Sequence, residues 1–361
     1  MAPPIDNFIE EPARIRVRVG LAPVQNAVHS LLLLTKTEKL SGLSDWVINT
    51  AHQLSPEERE HHHRVMIAFY HAIVPERRWS SFPVYLQHLS NMDAEALRNK
   101  MIKSYLEMGS HNATDNFTKE TVIASEENYI AFLKERFSEK YVDEELEGWA
   151  YSYVINPSAM QELIISHLQR YWDDYLSTEW ERTLPTLKKA VKAFQLVDFK
   201  EMDNIEAIEY ITGQPLASEW TEDKCKSAEG LYFAPSLHVG PYVGRFYEEN
   251  LLGFIFGARL PDNASIHAPE LSQAEIYMRL NALADENRLQ ILRHIGEKDG
   301  SCSTEIIKTL GLSQSATSRH LTQLTAAGYL TARRIDGAKC YQLNKERIAN
   351  TMDTVKAFLM S

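Results

Sequence analysis

The first element predicted by the chain is a strand at residues 14–19 (RIRVRV), where every second residue is apolar. A two-residue period is typical of a strand with one buried face. Helical spacing of apolar residues follows, and Ser55 begins one helix, because a serine N-cap precedes a proline and two glutamates. The same spacing predicts further helices at residues 94–108, 119–137, 157–176 and 181–194.

The pattern changes near residue 227. Two short, apolar runs near glycines, 231–234 (LYFA) and 251–258 (LLGFIFGA), predict strands. We therefore expect an α+β fold, with a mostly helical N-terminal domain in which these strands and the first one form a small sheet. A stretch from Pro261 to Pro269 is rich in turn-forming residues and predicts a linker. The expected organisation is an N-terminal domain at residues 1–262, a linker at 263–270 and a C-terminal domain at 271–361.

The C-terminal domain has the pattern of a helix-turn-helix. Helices are predicted, in order, at residues 273–283, 286–295, 303–310 and 314–327. Gly311 suits the left-handed conformation that ends the third of these helices, and Ser313 is the N-cap of the fourth. Thr317, Leu321 and Leu324 form the buried stripe of the fourth helix. In a helix-turn-helix, this second helix of the pair enters the major groove of DNA.

A hairpin and a last helix complete this domain. Two strands, at 329–335 and 339–343, flank an Asp-Gly pair that is a strong signal for a tight hairpin turn. The hairpin is the predicted wing, and it carries the three cations Arg333, Arg334 and Lys339. The helix predicted at residues 345–360 has an apolar stripe consisting of Ile348, Met352, Val355 and Leu359. The C-terminal domain is therefore predicted to be a winged helix-turn-helix.

The charge distribution agrees with a DNA-binding tail. The whole chain has a formal net charge of -11, which by itself argues against nucleic acid as a partner. From residue 275 onwards, however, 12 Lys+Arg stand against 9 Asp+Glu, so the tail has a net charge of +3 and the rest of the chain -14. An acidic, aromatic-rich body thus carries a slightly basic module, which indicates an anion-binding tail.

Two segments of the tail carry a family resemblance. Residues 283–295 (LADENRLQILRHI) and 311–344 (GLSQSATSRHLTQLTAAGYLTARRIDGAKCYQLN) resemble the winged helix-turn-helix of ArsR-family bacterial repressors. The preceding segments LYFAPSLHVGPYV and LLGFIFGARLP are similar to long-form members of that family, which have an extra N-terminal domain. The resemblance implies a homodimer that blocks transcription and leaves double-stranded operator DNA when a signal arrives. It also places the dimer surface on the last helix and on residues 273–283.

The candidate DNA-binding residues lie on the exposed face of the recognition helix and on the wing. Gln314 can pair with adenine and Arg319 with guanine through two hydrogen bonds each. We expect the smaller or flanking side chains to contact the DNA backbone, and the wing cations to reach phosphates or the minor groove. These are Ser315, Ser318, His320, Thr322, Arg333, Arg334 and Lys339. For His320, a histidine on the helix surface with no DNA contact is an equal alternative.

The sequence does not predict a metal site. Many ArsR-type repressors bind soft metals through a Cys-x-Cys pair, but here Cys302 matches the first cysteine and Thr304 replaces the second. Cys340 has no nearby thiol in the sequence and is predicted to be a small apolar residue of a strand, so no disulfide framework is expected. A redox role for Cys302 stays open. The histidines at 61–63 and His71 are interpreted as a polar helix face.

The role of the N-terminal domain allows three interpretations. The first is a sensor for a small-molecule or protein effector, suggested by six tryptophans that could line an apolar pocket. The second is an enzyme, although the chain has no nucleophile elbow, Walker loop, GxGxxG or HExxH motif, and His238 with Tyr242 and Arg245 is its best polar cluster. The third is a dimerisation or protein-interaction scaffold. We expect the sensor, with no catalytic residue and no cofactor.

Targeting signals are not evident. The longest aliphatic run covers residues 31–34, far shorter than the roughly 20 apolar residues of a membrane-spanning helix. The first residues lack the basic and apolar regions of a secretory signal. We therefore expect a cytoplasmic bacterial protein without a membrane partner, whose function is sequence-specific regulation of transcription.

Overall fold

The computed structural model describes residues 16–107, 117–137, 139–214, 225, 228–248, 251–261, 264–265, 269–335 and 337–360. These residues form helices and two small sheets, so the expected α+β fold is confirmed. They divide into two compact units. One unit comprises Ala22–Lys39 and Leu43–Leu184, and the other comprises the described residues of Met1–Leu21, Leu40–Gly42 and Pro185–Ser361. The predicted domain boundaries at residues 262 and 271 stay a prediction, since half of the linker at 263–270 lies outside the described residues.

The first unit is built from helices. They are α1 (Pro23–Leu34), α2 (Asp45–Gln53), α3 (Pro56–Ala68), α4 (Tyr70–Ile73), α5 (Phe82–Asn91), α6 (Ala94–Glu107), α7 (Lys119–Ile123), α8 (Glu126–Phe137), α9 (Glu144–Val154) and α10 (Pro157–Tyr171), with a 3-10 turn at Glu139–Tyr141. A π-helical turn at Trp172–Leu176 continues α10 into α11 (Ser177–Gln195). The unit boundary falls within α11, at Pro185.

Local signals explain where these helices begin. Ser55 forms the predicted cap of α3: its Oγ accepts from the N–H of Glu58 at 3.2 Å, and its own N–H donates to the Glu58 carboxylate at 3.0 Å. The helix predicted over residues 119–137 is instead two helices. Ser125 caps the second one by accepting from the N–H of Asn128, which ends α7 before α8 begins.

Aromatic side chains fill the core of the helical unit. Trp149 packs on Phe69, and Trp172 packs on Phe82, with ring centroids 5.7 and 5.0 Å apart. Phe69 and Phe82 are fully buried. These two tryptophans therefore contribute to packing in the core. Trp220, also considered for a pocket, lies outside the described residues.

The second unit contains a four-stranded mixed sheet. Its strands are β1 (Arg16–Val19), β2 (Gly230–Ser236), β3 (Gly244–Glu248) and β4 (Leu251–Gly257), in the order β1-β2-β4-β3. The three predicted strands run parallel to one another, and β3, which was not predicted, adds an antiparallel edge. Phe233 and Phe256 in the middle of the sheet are fully buried beneath α11 and α12 (Asn204–Thr212).

The remaining elements form the winged helix-turn-helix. They are α13 (Pro269–Leu283), α14 (Glu286–Glu297), β5 (Ser301–Cys302), α15 (Ser303–Leu310), α16 (Gln314–Ala326), β6 (Leu330–Ile335), β7 (Ala338–Leu343) and α17 (Lys345–Met360). Ile291, Ile306, Leu324 and Tyr329 are fully buried in their common core. All the predicted helices and both wing strands are present. The two-residue β5 was not predicted, and it makes β7 the central strand of a three-stranded sheet in the order β5-β7-β6.

The cysteines correct one expectation. Cys302 and Cys340 form a disulfide, so the interpretation of Cys340 as a cysteine without a nearby thiol is wrong. The reason is the pairing of β5 with β7, which places Cys302 directly opposite Cys340 although the two are 38 residues apart. The third cysteine, Cys225, is a buried free thiol. The disulfide therefore ties the start of α15 to the wing.

Reduction of this disulfide is expected to destabilise the winged helix-turn-helix. Closing a loop of 38 residues removes chain entropy worth about 4 kcal/mol from the unfolded state in the loop-closure model. Dithiothreitol should lower the urea midpoint of the wild-type protein, followed by circular dichroism. A Cys302→Ser/Cys340→Ser double variant should unfold at the same midpoint with and without the reductant. An equal response of both proteins to dithiothreitol contradicts this prediction.

The stability of the helical unit should fall in mild acid. Burial lowers the pKa of His71 from 6.5 to about 4, helped by the positive charge of Lys100. Between pH 6.5 and pH 4 the unfolded chain binds a proton at His71 that the folded protein does not. The free energy of unfolding therefore falls by about 1.4 kcal/mol for each pH unit in this window, and the full stability is present above pH 6.5. His71→Phe keeps a ring beside Tyr105 and should lose less stability between pH 7 and pH 5 in urea titrations. Replacement of the exposed His52 by Asn should leave the wild-type loss unchanged.

Candidate nucleic-acid interface

A three-residue turn sets the direction of α16. Gly311 ends α15 with a left-handed φ of 66°, and its N–H donates to the carbonyl of Ile307 at 3.0 Å. Nothing crowds the position, so the dihedral angle alone favours glycine there. Two residues later, the Ser313 hydroxyl accepts from the N–H of Ala316 and caps α16. The predicted helix-turn-helix is therefore present with both of its predicted caps.

The two faces of α16 differ as the sequence predicts. Thr317, Leu321 and Leu324 are buried against the core. The opposite face is polar and exposed, and it consists of Gln314, Ser315, Ser318, Arg319 and Thr322. This face can offer amide, hydroxyl and guanidinium groups to a ligand without first breaking core contacts.

His320 lies on the inner side of α16. It is buried, and its Nδ1 lies 3.9 Å from the Asp285 carboxylate. Burial lowers its pKa, and the positive charges of Arg288 and Arg319 act in the same direction against Asp285. The interpretation of His320 as a surface histidine is therefore not met, and its imidazole is not among the groups that α16 exposes.

A polar network that was not predicted connects the end of α13 with the start of α14 and approaches α16. Asp285 caps α14 by accepting from the N–H of Arg288 at 2.9 Å. The Arg288 guanidinium, itself buried, donates to the carbonyls of Asn281 and Ala282 at the end of α13, at 2.8 Å each. The Asp285 carboxylate, which is partly exposed, also lies 3.9 Å from Nδ1 of His320. The spacing of Asp285 and Arg288 at a helix start was the available signal for this network.

The wing presents its cations to solvent. Arg333, Arg334 and Lys339 are all exposed, and Arg334 pairs directly with Lys339 across the hairpin. The turn between β6 and β7 has Gly337 with a φ of 80°, while Asp336 lies outside the described residues. Among the described residues, the charged groups of these three side chains and of Arg319 form no ion pair, which leaves four positive charges open to anionic groups.

The structure also gives contacts for the two other polar clusters noted in the sequence, around His62 and around His238. His62 is buried, where its Nδ1 pairs with Nε2 of His167 at 2.9 Å and its Nε2 donates to the carbonyl of Leu31. Within the described ranges, no group of three or more His, Cys, Asp or Glu side chains is placed to hold a metal ion. In the cluster around His238, the Tyr242 hydroxyl donates to the carbonyl of Ser41, and Arg245 is exposed on β3.

Known proteins match part of the chain. Residues 285–332 match the family described as bacterial regulatory protein, arsR family. The uncharacterized HTH-type transcriptional regulator YbzH of Bacillus subtilis is 34% identical over 89 residues, which cover 21% of this chain and 89% of that protein. The putative arsenical resistance operon repressor ArsR2 of Halobacterium salinarum is 32% identical over 80 residues, which cover 21% of this chain and 67% of that protein.

Among solved structures, reduced HlyU from Vibrio cholerae N16961 is 31% identical, with a TM-score of 0.21, over 25% of this chain and 95% of that one. None of the described helices is both long and apolar enough to cross a membrane. The matches to the relatives cover about a fifth of this chain, but two thirds or more of each relative. With the exposed face of α16 and the wing, they identify a DNA-binding transcriptional regulator, and the chain belongs to the arsR family of bacterial regulatory proteins.

Proposed function

We propose that the protein is a cytoplasmic homodimeric repressor that binds a nearly palindromic operator in double-stranded DNA and leaves it when the N-terminal domain senses a signal. The observation that carries this proposal is the combination of an exposed polar face on α16 with wing cations that form no ion pair within the described chain. A helix of this kind fits the major groove, and the wing cations then lie beside the phosphate backbone. A repressor role agrees with the name of one relative, the putative arsenical resistance operon repressor ArsR2.

The residues of α16 and the wing divide into two roles. Gln314 and Arg319 have the donors and acceptors to read base edges, adenine and guanine respectively. The hydroxyl residues and the wing cations contact phosphates; they are Ser315, Ser318, Thr322, Arg333, Arg334 and Lys339. Because the Thr322 hydroxyl donates to the Ser318 carbonyl at 2.7 Å, it contacts a phosphate only after this bond is exchanged. We leave His320 out of the contact surface because it is buried.

An exposed apolar surface on α13 and α17 supports the homodimer. These two helices pack against each other, and both present large apolar side chains to solvent. The most exposed are Tyr277 (58%), Met352 (48%), Leu359 (76%) and Met360 (77%). Burial of such a surface against a second copy removes it from water. A two-fold dimer then presents two recognition helices to half-sites about 34 Å apart, one helical turn of DNA.

The signal is taken up by the N-terminal domain in this proposal, as a small-molecule or protein effector. An enzyme or a protein-interaction scaffold in that domain is the alternative. A ligand that prefers the folded protein raises its melting temperature by mass action. A scaffold without a ligand shows no such rise with any candidate compound, and an enzyme would form product.

Arg319→Ala and Arg333→Ala should have different effects on DNA binding. Loss of a bidentate contact to guanine costs about 1–3 kcal/mol on the operator and little on random DNA, so Arg319→Ala should reduce sequence preference. Loss of a phosphate contact should weaken binding to all duplexes alike and reduce the salt slope by about one. Fluorescence anisotropy with the protein's own upstream DNA and a scrambled duplex, across salt concentrations, measures both effects.

Lys103→Ala on α6 is the matched control, since Lys103 is an exposed cation of the helical unit, and it should leave both affinities unchanged. Equal losses on operator and random DNA for both arginine variants would contradict the division of roles. Equal, weak binding of the wild-type protein to both duplexes would favour the alternative of a winged helix used for protein contact.

Leu359→Asp should weaken the dimer. A carboxylate on this apolar surface would have to be desolvated at the interface, so the monomer fraction should rise in sedimentation velocity experiments at micromolar concentration. Operator affinity should fall with it, because one half-site alone is then bound. Leu196→Asp is the control, since Leu196 is also exposed (65%) but lies outside α13 and α17. A dimer unaffected by Leu359→Asp places the interface elsewhere.

A further inference from the structure

Three arginines surround one glutamate next to the carboxyl ends of β2 and β4. Arg259 follows β4, Arg279 lies on α13, and Arg347 lies in the first turn of α17. Glu275 on α13 forms ion pairs with Arg279 and, at 3.5 Å, with Nε of Arg259. Although burial acts to raise the pKa of Glu275, the three arginines hold it below its ordinary value. Three guanidinium groups therefore lie around the Glu275 carboxylate.

Of the three arginines, Arg347 is the one that forms no ion pair with a described residue, whereas Arg259 and Arg279 pair with Glu275. The Nε of Arg347 donates to the carbonyl of Ala327 at 3.2 Å, at the end of α16. Burial first, and then the positive charges of Arg279 and Arg259, lower the pKa of Arg347 from 12.5 to about 10. The Nε of Arg279 is also buried without a hydrogen-bond partner among the described residues. An anion bound here would stabilise both guanidinium groups.

The cluster borders a pocket at the place where sheets with parallel strands commonly bind ligands, beyond the carboxyl ends of the strands. The pocket has a volume of about 70 Å³, roughly five times the 10–15 Å³ that one water molecule requires. Gly257, at the end of β4, lies so close to the carbonyl of Gly240 that a Cβ would come within 2.8 Å of that oxygen. The backbone thus leaves a small space that Arg259, Glu275 and Arg347 line together with apolar side chains.

An open cleft of about 370 Å³ continues from this pocket, and Arg259 and Arg347 line both spaces. The rest of the cleft is rich in hydrogen-bonding groups, namely Glu209, Tyr210, Thr331, Asn344, Glu346 and Asn350. Carboxylates and amide oxygens accept hydrogen bonds from hydroxyl groups, while further negative charge in the cleft would be repelled by Glu209 and Glu346. The cleft therefore suits a polar, uncharged molecule rich in hydroxyl groups.

We propose that the pocket binds the phosphate group of a small phosphate monoester, that the cleft holds its hydroxylated remainder, as in a sugar phosphate, and that this ligand is the signal that releases DNA. A phosphate monoester carries a charge of about -1.5 to -2 at neutral pH, and its oxygens can accept charge-assisted hydrogen bonds from Arg259 and Arg347, which line the pocket. When Arg347 turns towards the phosphate, it gives up its bond to Ala327, and the end of the recognition helix loses a partner. The regulatory part of this inference rests on the proposed repressor function.

Isothermal titration calorimetry of the full-length protein with glucose 6-phosphate tests the site without DNA. Glucose 6-phosphate should bind more tightly than inorganic phosphate, gluconate or glucose. Arg347→Gln removes charge-assisted hydrogen bonds and should weaken binding about 10- to 100-fold. Ala274→Glu places a carboxylate in the pocket from a half-buried helix position and should abolish binding. Arg293→Gln, an exposed arginine of α14, is the control and should bind as the wild type does.

Several results would overturn the proposal. They are unchanged binding by Arg347→Gln and Ala274→Glu with native circular dichroism, tighter binding of gluconate or glucose, or no phosphate binding at about 1 mM. Binding of inorganic phosphate as tight as that of glucose 6-phosphate would remove the role of the cleft.

Operator binding is measured separately by anisotropy. Glucose 6-phosphate should weaken it for the wild type and for Arg293→Gln but not for Arg347→Gln, and operator DNA should weaken sugar phosphate binding by the same factor. Ligand binding without operator preference would leave the site in place and overturn the repressor function. Operator preference without ligand binding would overturn the ligand site and leave the proposed DNA-binding function in place.

Discussion

The pairing of β7 with two partners at once is the constraint on which the DNA-binding surface depends. On one side β7 pairs with β6, and these two strands carry the wing cations. On the other side β7 pairs with β5, which directly precedes α15. The disulfide between Cys302 and Cys340 lies at the second of these pairings. Since the turn at Gly311 then sets the direction of α16, the recognition helix and the wing have a fixed spacing. A DNA backbone that contacts the wing therefore meets the polar face of α16 at a defined register.

Much of this part of the fold could be predicted because its signals are local. Caps, turn glycines and the spacing of Thr317, Leu321 and Leu324 each act within one or two turns of helix. The features that could not be predicted depend on residues far apart in the chain. Strand β5 is only two residues long, and it exists because β7 offers it an edge. Nothing in the sequence near His320 indicates that this polar residue is buried and lies close to Asp285.

The candidate site shows the same division. The exposed residues of α16 and the wing followed from helical period and the hairpin turn. The arginine cluster did not, since Arg259, Arg279 and Arg347 lie on three elements and are separated by up to 88 positions in the sequence. Net charge gave no hint of it either, because Arg279 and Arg347 are counted in the basic tail and Arg259 in the acidic remainder of the chain. Only the fold shows that they share one carboxylate.

The sheet of the second unit pairs strands that are more than 200 residues apart in the sequence. Strand β1 at Arg16–Val19 pairs in parallel with β2, so that Val17 lies opposite Leu231. Every helix from α1 to α12 is synthesised between these partners. Strand β2 is therefore synthesised long after β1, and β1 stays unpaired until then. Contacts of such long sequence separation slow folding. Strand β1 also covers one edge of β2, and loss of the first 20 residues would expose this edge to pairing with other chains and to aggregation.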